Sequence, residues 1–285
     1  MELNRTSFAP KRLVVTADDF GAAIQVNDAV EQAHRNGILT AASLMVTGDA
    51  AEDAVTRAGK MPTLGVGLHI VLVEGKPALP PERLPDLVDG SGHFRTDMVQ
   101  MAIGIFTKPA ARAQLRGEVE AQFARFAATG LPLDHVNAHK HFHLHPTIAS
   151  TILSVGRRHG MKSIRAPIEP RRIVNRIEPG TSGFDIARPW ALLVRRRMRA
   201  AGMQVPDQVF GLAWSGALDT NRLRDLIEQL PDGLTEIYAH PATGPYPGSA
   251  PGYAYAEELA ALTDRLAKDR VLRDGVTLGR FADFV

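Results

Sequence analysis

The chain of 285 residues contains no cysteine, which excludes disulfide bonds, thiolate metal ligands and a catalytic thiol. It also has little net charge. Its 33 lysines and arginines stand against 31 acidic residues, a formal charge of +2, whereas a dedicated nucleic-acid-binding protein usually has a strongly basic face. Its apolar runs are short: 66–73 and 101–106 fall far below the roughly 18 residues of a membrane-spanning helix. We therefore expect neither a membrane span nor a nucleic-acid partner.

The sequence has the composition of a globular protein with a large core, since 45% of its residues are hydrophobic and 22% are charged. Its first ten residues lack the basic start and apolar run of a secretory signal. This favours a cytoplasmic protein.

Short apolar segments alternate with longer segments of helical periodicity, a rhythm typical of parallel strands joined by helices. Predicted strands lie near 13–17, 42–47, 65–70, 135–139, 163–166, 208–212 and 236–239. Predicted helices lie at 22–36, 50–59, 110–129, 146–159, 188–201, 220–230 and 255–267. The pattern indicates an α/β fold, a single domain over 1–285 built as a distorted (β/α) TIM-like barrel of seven or eight parallel strands. An open doubly wound sheet would produce the same local pattern and stays open as an alternative.

Two segments rich in proline and glycine interrupt this rhythm, one near 74–96 and one near 169–185. Both follow predicted strands, and the loops after the strands of a barrel build its active site. We expect these insertions to form substrate walls, with variable surface loops as the alternative.

Two adjacent carboxylates, Asp18 and Asp19, end the first predicted strand and precede Gly21. Successive side chains of a strand point to opposite faces, so both acids can face one cavity only if the chain turns there. Gly21 makes such a turn easy. One acid could then hold a cation while the other stays uncommitted and takes a proton. The alternative is a strand exit in which an aspartate caps the next helix.

Histidines lie at the ends of two further predicted strands, His69 within 65–70 and His240 directly after 236–239. Strand ends are where a barrel presents its ligands and catalytic groups. His240 could titrate near neutrality, as a general acid must. Each histidine alone could equally be a structural residue whose ring nitrogens are both hydrogen-bonded.

A cluster of histidines is the most specific signal, because five of the chain's ten fall within eleven residues. They are His135, His139, His141, His143 and His145. On an extended segment, a spacing of two places His139, His141 and His143 along one side. Imidazole is the commonest metal-binding side chain, and ligand rings need partners that orient them, which neighbouring histidines or Asn137 could supply. The alternative is a histidine-rich turn.

Together these strand ends predict a catalytic site for one divalent metal ion, formed by one carboxylate oxygen, two imidazoles and water. Burying so many ionisable groups would cost several kcal/mol unless they were paired or bound to metal. Imidazole ligands suit Zn, Mn, Co or Ni better than Mg, which prefers oxygen. The identity of the ion stays open, with Zn and Mg placed first and Mn, Co or Ni as further choices.

Four motifs at separate strand ends resemble the YdjC-like carbohydrate deacetylases, and the likeness extends over nearly the whole chain. They lie at 17–21, 67–69, 139–146 and 239–241. Residues 134–146, together with 40–46 and 85–89, look like the hopanoid-biosynthesis-associated branch called HpnK. The resemblance implies a distorted (β/α) barrel that removes acetyl from an N-acetylglucosaminyl hopanoid and leaves a glucosaminyl hopanoid.

The resemblance also implies roles for individual residues. The matched metal ligands are Asp19, His69 and His139, the general base is Asp18, and the general acid is His240. We assign Asn137, His141, His143 and Arg165 to positions beside the ligands or against the substrate. Many relatives have Asp-Ser where this chain has Asn137-Ala138, which weakens an acidic role at position 137 but leaves the ligand His139 in place.

The implied partner is an N-acetylated amino-sugar glycolipid. Residues 188–203 mix arginines with apolar residues at helical spacing, which suits either peripheral contact with the inner membrane face or an outer barrel helix. Residues 98–106 offer a second apolar surface that could accept a lipid tail or pack on the barrel. A homo-oligomer stays open.

Three other functions compete with this hypothesis. The first keeps the chemistry but acts on a soluble chito-oligosaccharide or N-acetylglucosamine. The second is a metal-dependent phosphoesterase, disfavoured because the sequence has neither a glycine-rich phosphate loop nor a bimetallic carboxylate set. The third is a non-catalytic, metal-stabilised sugar-binding barrel, against which the spare acid beside a ligand argues.

Overall fold

A computed structural model describes residues 10–181 and 187–285. In this part of the chain the strands are Lys11–Phe20 (β1), Ala41–Leu44 (β2), Gly65–Ile70 (β3), Val136–Ala138 (β4), Gln208–Phe210 (β5), Gly233–Ala239 (β6) and Thr277–Leu278 (β7). The α-helices are Ile24–Asn36 (α1), Ala51–Ala58 (α2), Met98–Thr107 (α3), Pro109–Ala128 (α4), Pro146–Arg158 (α5), Arg171–Ile177 (α6), Arg188–Ala200 (α7), Thr220–Glu228 (α8), Tyr255–Leu262 (α9) and Arg265–Arg273 (α10). Short 3₁₀ helices lie at Pro81–Arg83, His139–Leu144 and Phe281–Phe284.

The strands form one parallel sheet in the order β4-β3-β2-β1-β6-β5, with β7 beside the start of β1. The segment 163–168 closes this sheet. Val136 of β4 donates to the carbonyl of Ser163, and the carbonyl of Ile168 accepts from Val209 of β5. The prediction of a distorted parallel barrel is confirmed, and an open sheet is excluded.

Most predicted strands are present with shifted ends. The predicted strand 163–166 forms only isolated bridges, because its neighbours β4 and β5 are three residues long. The predicted helix 255–267 is two helices, α9 and α10, since Asp264 caps the second by accepting from the backbone of Ala267. No helix within the two described ranges is long and apolar enough to span a membrane.

Both predicted insertions carry structure of their own. Residues 74–96 contain a 3₁₀ turn and bury Leu84, Leu87 and Phe94. In 169–185, helix α6 follows Pro170, and residues 182–185 lie outside the described residues. The first insertion reaches the site described below through Glu74.

One local expectation is wrong. The segment from His139 to His143 is not extended, because β4 ends at Ala138 and a 3₁₀ helix follows. Lys140 and His141 have φ values of 51° and 54°, in the left-handed region. The three alternate histidines therefore do not share one side.

The barrel interior is polar near the centre, where side-chain layers of Val, Ile and Leu are usual. Thr16 donates to Glu236 Oε1 at 2.9 Å, and Arg165 Nη2 donates to the same oxygen at 2.7 Å. All three side chains are fully buried. This polar core supports the residues above it at the carboxyl-terminal ends of the strands.

Candidate metal centre

Three of the predicted site residues meet where β1, β3 and β4 end. Asp19 Oδ1 lies 3.2 Å from His69 Nε2 and 3.2 Å from His139 Nδ1, and the two ring nitrogens are 3.4 Å apart. The candidate ligand atoms all lie within 4.8 Å of one another. A single ion could contact all three.

The backbone of β1 explains how two consecutive acids face one space. Asp19 has a φ of 63°, and the register between β1 and β2 shifts between Ala17 and Phe20. Such an irregularity re-aims one side chain without ending the strand. The turn that the sequence requires thus lies within β1, and Gly21 follows it with a φ of 92°.

The donor atoms fit a divalent cation. Asp19 Oδ1 is buried yet accepts no hydrogen bond from any described residue, a costly arrangement that a bound cation would relieve. Burial alone would raise the pKa of Asp19, but His139 and His69 hold it well below its usual range, so the carboxylate is ionised. One carboxylate and two imidazoles are a donor set typical of catalytic metal sites.

Asn137 determines which nitrogen of His69 can bind metal. Its Nδ2 donates to Asp18 Oδ1 at 2.9 Å, and its Oδ1 lies 2.7 Å from His69 Nδ1. An ionised carboxylate can only accept, so the amide nitrogen must face Asp18 and the amide oxygen must accept the Nδ1 proton of His69. With Nδ1 committed to Asn137, Nε2 is the nitrogen of His69 that can bind metal, and it points to Asp19.

A buried hydrogen-bond chain reaches Asn137 from behind. His135 Nδ1 lies 3.0 Å from Asp134 Oδ2, His135 Nε2 lies 2.9 Å from Ser43 Oγ, and Asn137 Nδ2 donates to Ser43 Oγ at 2.9 Å. Because His135 donates to the carboxylate, its other nitrogen accepts the Ser43 proton, and the Ser43 oxygen accepts from Asn137. Ser43 and His135 are fully buried, so they position Asn137 and do not meet substrate.

Asp18 is held in a buried ion pair, which corrects the expectation of an uncommitted acid. Arg165 Nη1 donates to Asp18 Oδ2 at 2.5 Å and Nη2 donates to Oδ1 at 3.0 Å. Burial alone would raise the pKa of Asp18, but Arg165 and then His69 hold it far below its usual range. Asp18 is therefore ionised and fixed in orientation.

A cavity of about 510 Å³ opens over these groups. It is lined by six of the predicted site residues, Asp18, Asp19, His69, His139, His141 and His240. Asn137 and Arg165 lie directly behind Asp18. His143 is elsewhere, with its Nε2 donating to the backbone carbonyl of Arg165 at 3.0 Å.

His240 lines the same cavity, directly after the end of β6. Its ring packs against Tyr238 and Tyr253, with centroids 5.6 and 5.3 Å apart. Its backbone N–H donates to Glu258, which fixes the end of β6. The buried ring atom Nδ1 has no hydrogen-bond partner among the described residues, so this nitrogen is uncommitted.

Sequence reasoning missed the aromatic wall of the cavity. All four tyrosines of the chain line it, Tyr238, Tyr246, Tyr253 and Tyr255. Their confinement to 18 residues around His240 was a usable signal, because aromatic side chains commonly line small-molecule sites. His141 joins them, with Nε2 3.0 Å from the Tyr238 hydroxyl.

Comparisons with known proteins place the chain in one family. A family model described as YdjC-like protein matches residues 12–273. A carbohydrate deacetylase of Geobacillus stearothermophilus is 32% identical over 96% of this chain and 98% of its own length. A chitooligosaccharide deacetylase of Proteus mirabilis is 28% identical over 96% and 98%. A carbohydrate deacetylase of Brevibacillus brevis is 40% identical, but over only 50% of this chain and 55% of that protein.

The fold also has a counterpart among solved structures. A crystal structure from Enterococcus faecalis V583, described as a candidate cellobiose-phosphate cleavage protein, superposes with a TM-score of 0.77 over 97% of this chain and all of that one. The two sequences are 23% identical. At that identity the likeness establishes a shared fold alone.

Proposed function

The chain belongs to the YdjC-like family, and from that membership we propose that it is a metal-dependent deacetylase that hydrolyses the acetamide of an N-acetylated amino sugar. One observation carries the proposal: the ligand atoms of Asp19, His69 and His139 converge within 4.8 Å, beside an ionised acid and within a substrate-sized cavity. Carbohydrate and chitooligosaccharide deacetylases among the similar proteins support it.

Asp19, His69 and His139 would hold the ion. A divalent ion there would supply Lewis acidity, polarising the acetamide carbonyl and lowering the pKa of a water molecule. The chain's own residues then have to accept one proton from that water and deliver one to the departing nitrogen.

Asp18 is the proposed proton acceptor. Arg165 and Asn137 hold both of its oxygens, which leaves the carboxylate ionised but makes it a weak base. Such a group accepts a proton effectively only while the water attacks the carbonyl, because the proton is not held stably afterwards. Arg165 and Asn137 therefore serve as positioning residues for this transfer.

His240 is the proposed proton donor. The His240 ring lines the same cavity as the ligand set, which places it within the space that a bound sugar would occupy. Protonation of that nitrogen lets the C–N bond break with an amine as leaving group, giving acetate and the free amino sugar. Tyr238 and Tyr253 hold the ring in place.

A second observation supports the finer proposal that the sugar is carried on a lipid, as an N-acetylglucosaminyl hopanoid. An apolar cleft of about 550 Å³ lies between α3 and α7. Its lining residues are Ala102, Ile103, Phe106, Thr107, Leu144, His145, Pro146 and Trp190. The 3₁₀ helix 139–144 connects the two spaces, since His139 and His141 line the catalytic cavity and Leu144 lines the cleft.

The test is acetate release from two substrates, N,N′-diacetylchitobiose and an N-acetylglucosaminyl hopanoid, each with and without a chelator. We expect chelator-sensitive loss of one acetyl group from the hopanoid by mass spectrometry, at a higher kcat/KM than from the soluble sugar. Faster turnover of the soluble sugar would favour a chito-oligosaccharide deacetylase. Binding of either sugar without acetate release would instead indicate a non-catalytic barrel.

A further inference from the structure

Two helices outside the catalytic cavity carry an exposed apolar surface. Of the nine large hydrophobic side chains that are exposed in the described residues, five lie on α3 and α7. They are Val99, Ile103, Phe106, Trp190 and Leu193, each between 49% and 69% exposed. The three on α3 are spaced by four and three residues, which places them on one helix face. Ile103, Phe106 and Trp190 also line the apolar cleft between the two helices.

The helix segments that form this face are basic, although Lys108, Arg158 and Arg199 pair with acids outside these segments, Asp86, Glu120 and Asp207. Residues 98–117, 146–158 and 188–200 carry ten of the chain's 33 lysines and arginines and none of its 31 acidic residues. These segments lie together, because α3 packs on α4, α4 on α5 and α5 on α7. Because the net charge of the chain is only +2, these positive residues make this surface much more basic than the chain as a whole.

A second cavity shows how this face could hold an anionic group. About 370 Å³ in volume, it lies between α4, α5 and α7 and adjoins the apolar cleft at Pro146. Arg116 and Arg197 flank it, and it is lined by the hydroxyl residues Thr147, Ser150, Thr151 and Ser154. Neither Arg196 nor Arg197 forms an ion pair with a described residue, so both are available to an external anion.

We propose that this face, formed by α3, the start of α4, α5 and α7, docks on the surface of an anionic phospholipid bilayer. The exposed apolar side chains would enter the acyl boundary while the arginines bind headgroup phosphates. Charge argues against a second copy of the chain as the occupant, since a symmetric dimer would set the same arginines against one another. The same charge argues against an uncharged partner, because the arginines would then be buried without negative groups to pair with.

The inference rests on the proposed function in one respect: docking would bring the enzyme to its substrate only if that substrate is a glycolipid within the bilayer. The catalytic cavity and the apolar cleft share the 3₁₀ helix 139–144, so a docked molecule would have its catalytic cavity close to the headgroup layer. A sugar carried on a membrane lipid could then reach the ligand set without leaving the bilayer.

The experiment is co-sedimentation of the full chain with vesicles of phosphatidylcholine alone or mixed equally with phosphatidylglycerol. We expect binding to the anionic vesicles that weakens with added salt. Phe106→Ser should weaken this binding by about tenfold or more, because it removes one inserted aromatic side chain. The double variant Arg196→Gln/Arg197→Gln should weaken it by about 30-fold.

Matched controls lie on α10, away from this face. Leu272→Ser removes a leucine that is 75% exposed, and Arg265→Gln/Lys268→Gln removes two exposed positive charges. Both should bind anionic vesicles like wild type. Three results would overturn the proposal. The control variants could lose as much vesicle binding as the test variants, or wild type could bind neutral vesicles as well as anionic ones. Alternatively, the chain could self-associate without binding vesicles, with Phe106→Ser abolishing the self-association. Acetate release from N,N′-diacetylchitobiose without vesicles tests the proposed catalytic function separately.

Discussion

Asn137 is the residue through which the polar core acts on the candidate metal centre. It contacts Asp18, His69 and Ser43 at once, and its amide can satisfy all three in only one orientation. The amide performs a task that an aspartate at this position could not, because a carboxylate cannot donate to Asp18. The sequence predicts a partner for a ligand ring at position 137, but not the chain of Ser43 and His135 behind it.

Ser43→Ala should weaken metal binding without touching a ligand. The change leaves His135 Nε2 and one Asn137 N–H without buried partners, which costs about 1–3 kcal/mol of the unfolding free energy. Disturbing the partner of a ligand histidine typically lowers metal affinity about 10- to 100-fold. Metal titration and chemical denaturation measure the two effects.

Ser163→Ala is the matched control for that prediction. Ser163 is equally buried, and its hydroxyl donates to Gln204 at 2.8 Å, away from the ligands. It should lose a similar unfolding free energy and keep wild-type metal affinity. If both variants bound metal with equal affinity, Ser43 would have no role in orienting the metal ligands.

His143 should make the fold sensitive to acid. Burial and then the charge of Arg165 lower its pKa to about 3, whereas the unfolded chain has the ordinary value near 6.5. The unfolded state therefore binds an extra proton between these values, and stability that is present above pH 6.5 is lost as pH falls. From this residue alone, unfolding free energy should fall by about 2 kcal/mol between pH 7 and pH 5.

His143→Gln tests this dependence. The amide can still donate to the carbonyl of Arg165 but cannot take up a proton. Denaturant unfolding at several pH values should show a slope reduced by about one proton in this variant. An unchanged slope would mean that His143 is already protonated in the folded chain.

Strand β3 provides the space in which the polar core is built. A side chain at Gly67 would place its Cβ 2.5 Å from the His135 ring, and one at Gly65 would place it 2.6 Å from Asp134. The sequence places both glycines within the predicted strand 65–70 but does not show why glycine is needed there. They are within a strand because only a hydrogen atom fits between β3 and these side chains.

Gly67→Ala should displace His135 and destabilise the fold by about 1–3 kcal/mol, since overfilling a close-packed core forces neighbours from their positions. Gly104→Ala in α3, where no atom lies within 4 Å of the new methyl group, should instead stabilise the fold by about 0.5–1 kcal/mol. Thermal unfolding of the Gly67→Ala and Gly104→Ala variants, compared with wild type, measures both changes in stability. A Gly67→Ala variant as stable as wild type would refute the packing argument.

Strand and helix periodicity predicts most elements correctly, because burial on one side leaves a repeating pattern in the chain. It fails after Ala138, where alternating histidines suggest an extended segment and the structure has a 3₁₀ helix. That turn depends on left-handed backbone at Lys140 and His141, a conformation that alternation of residue types does not reveal. It also fails for β7, whose two residues are too few to form a pattern.

For the complete molecule, the convergence of the ligand set is predictable, whereas the ion pair that fixes Asp18 is not. Carboxyl ends of parallel strands meet at one end of a barrel, so residues as distant as Asp19 and His139 can be expected together. The ion pair between Asp18 and Arg165 joins residues 147 positions apart, with no motif around the arginine. Likewise, the basic and apolar face is recognisable only after four separate helices, α3, α4, α5 and α7, have been assembled.

The most direct test of the account compares Asp18→Asn with Asp19→Asn, measuring bound metal by elemental analysis and acetate release by the same preparation. Asp18→Asn should retain one ion per chain and lose about 10²–10⁴-fold in turnover, because it removes the proton acceptor and leaves all three proposed ligands in place. Asp19→Asn, like His139→Ala, should lose both the ion and the activity. Wild-type turnover in Asp18→Asn, or full metal content in Asp19→Asn, would contradict the account.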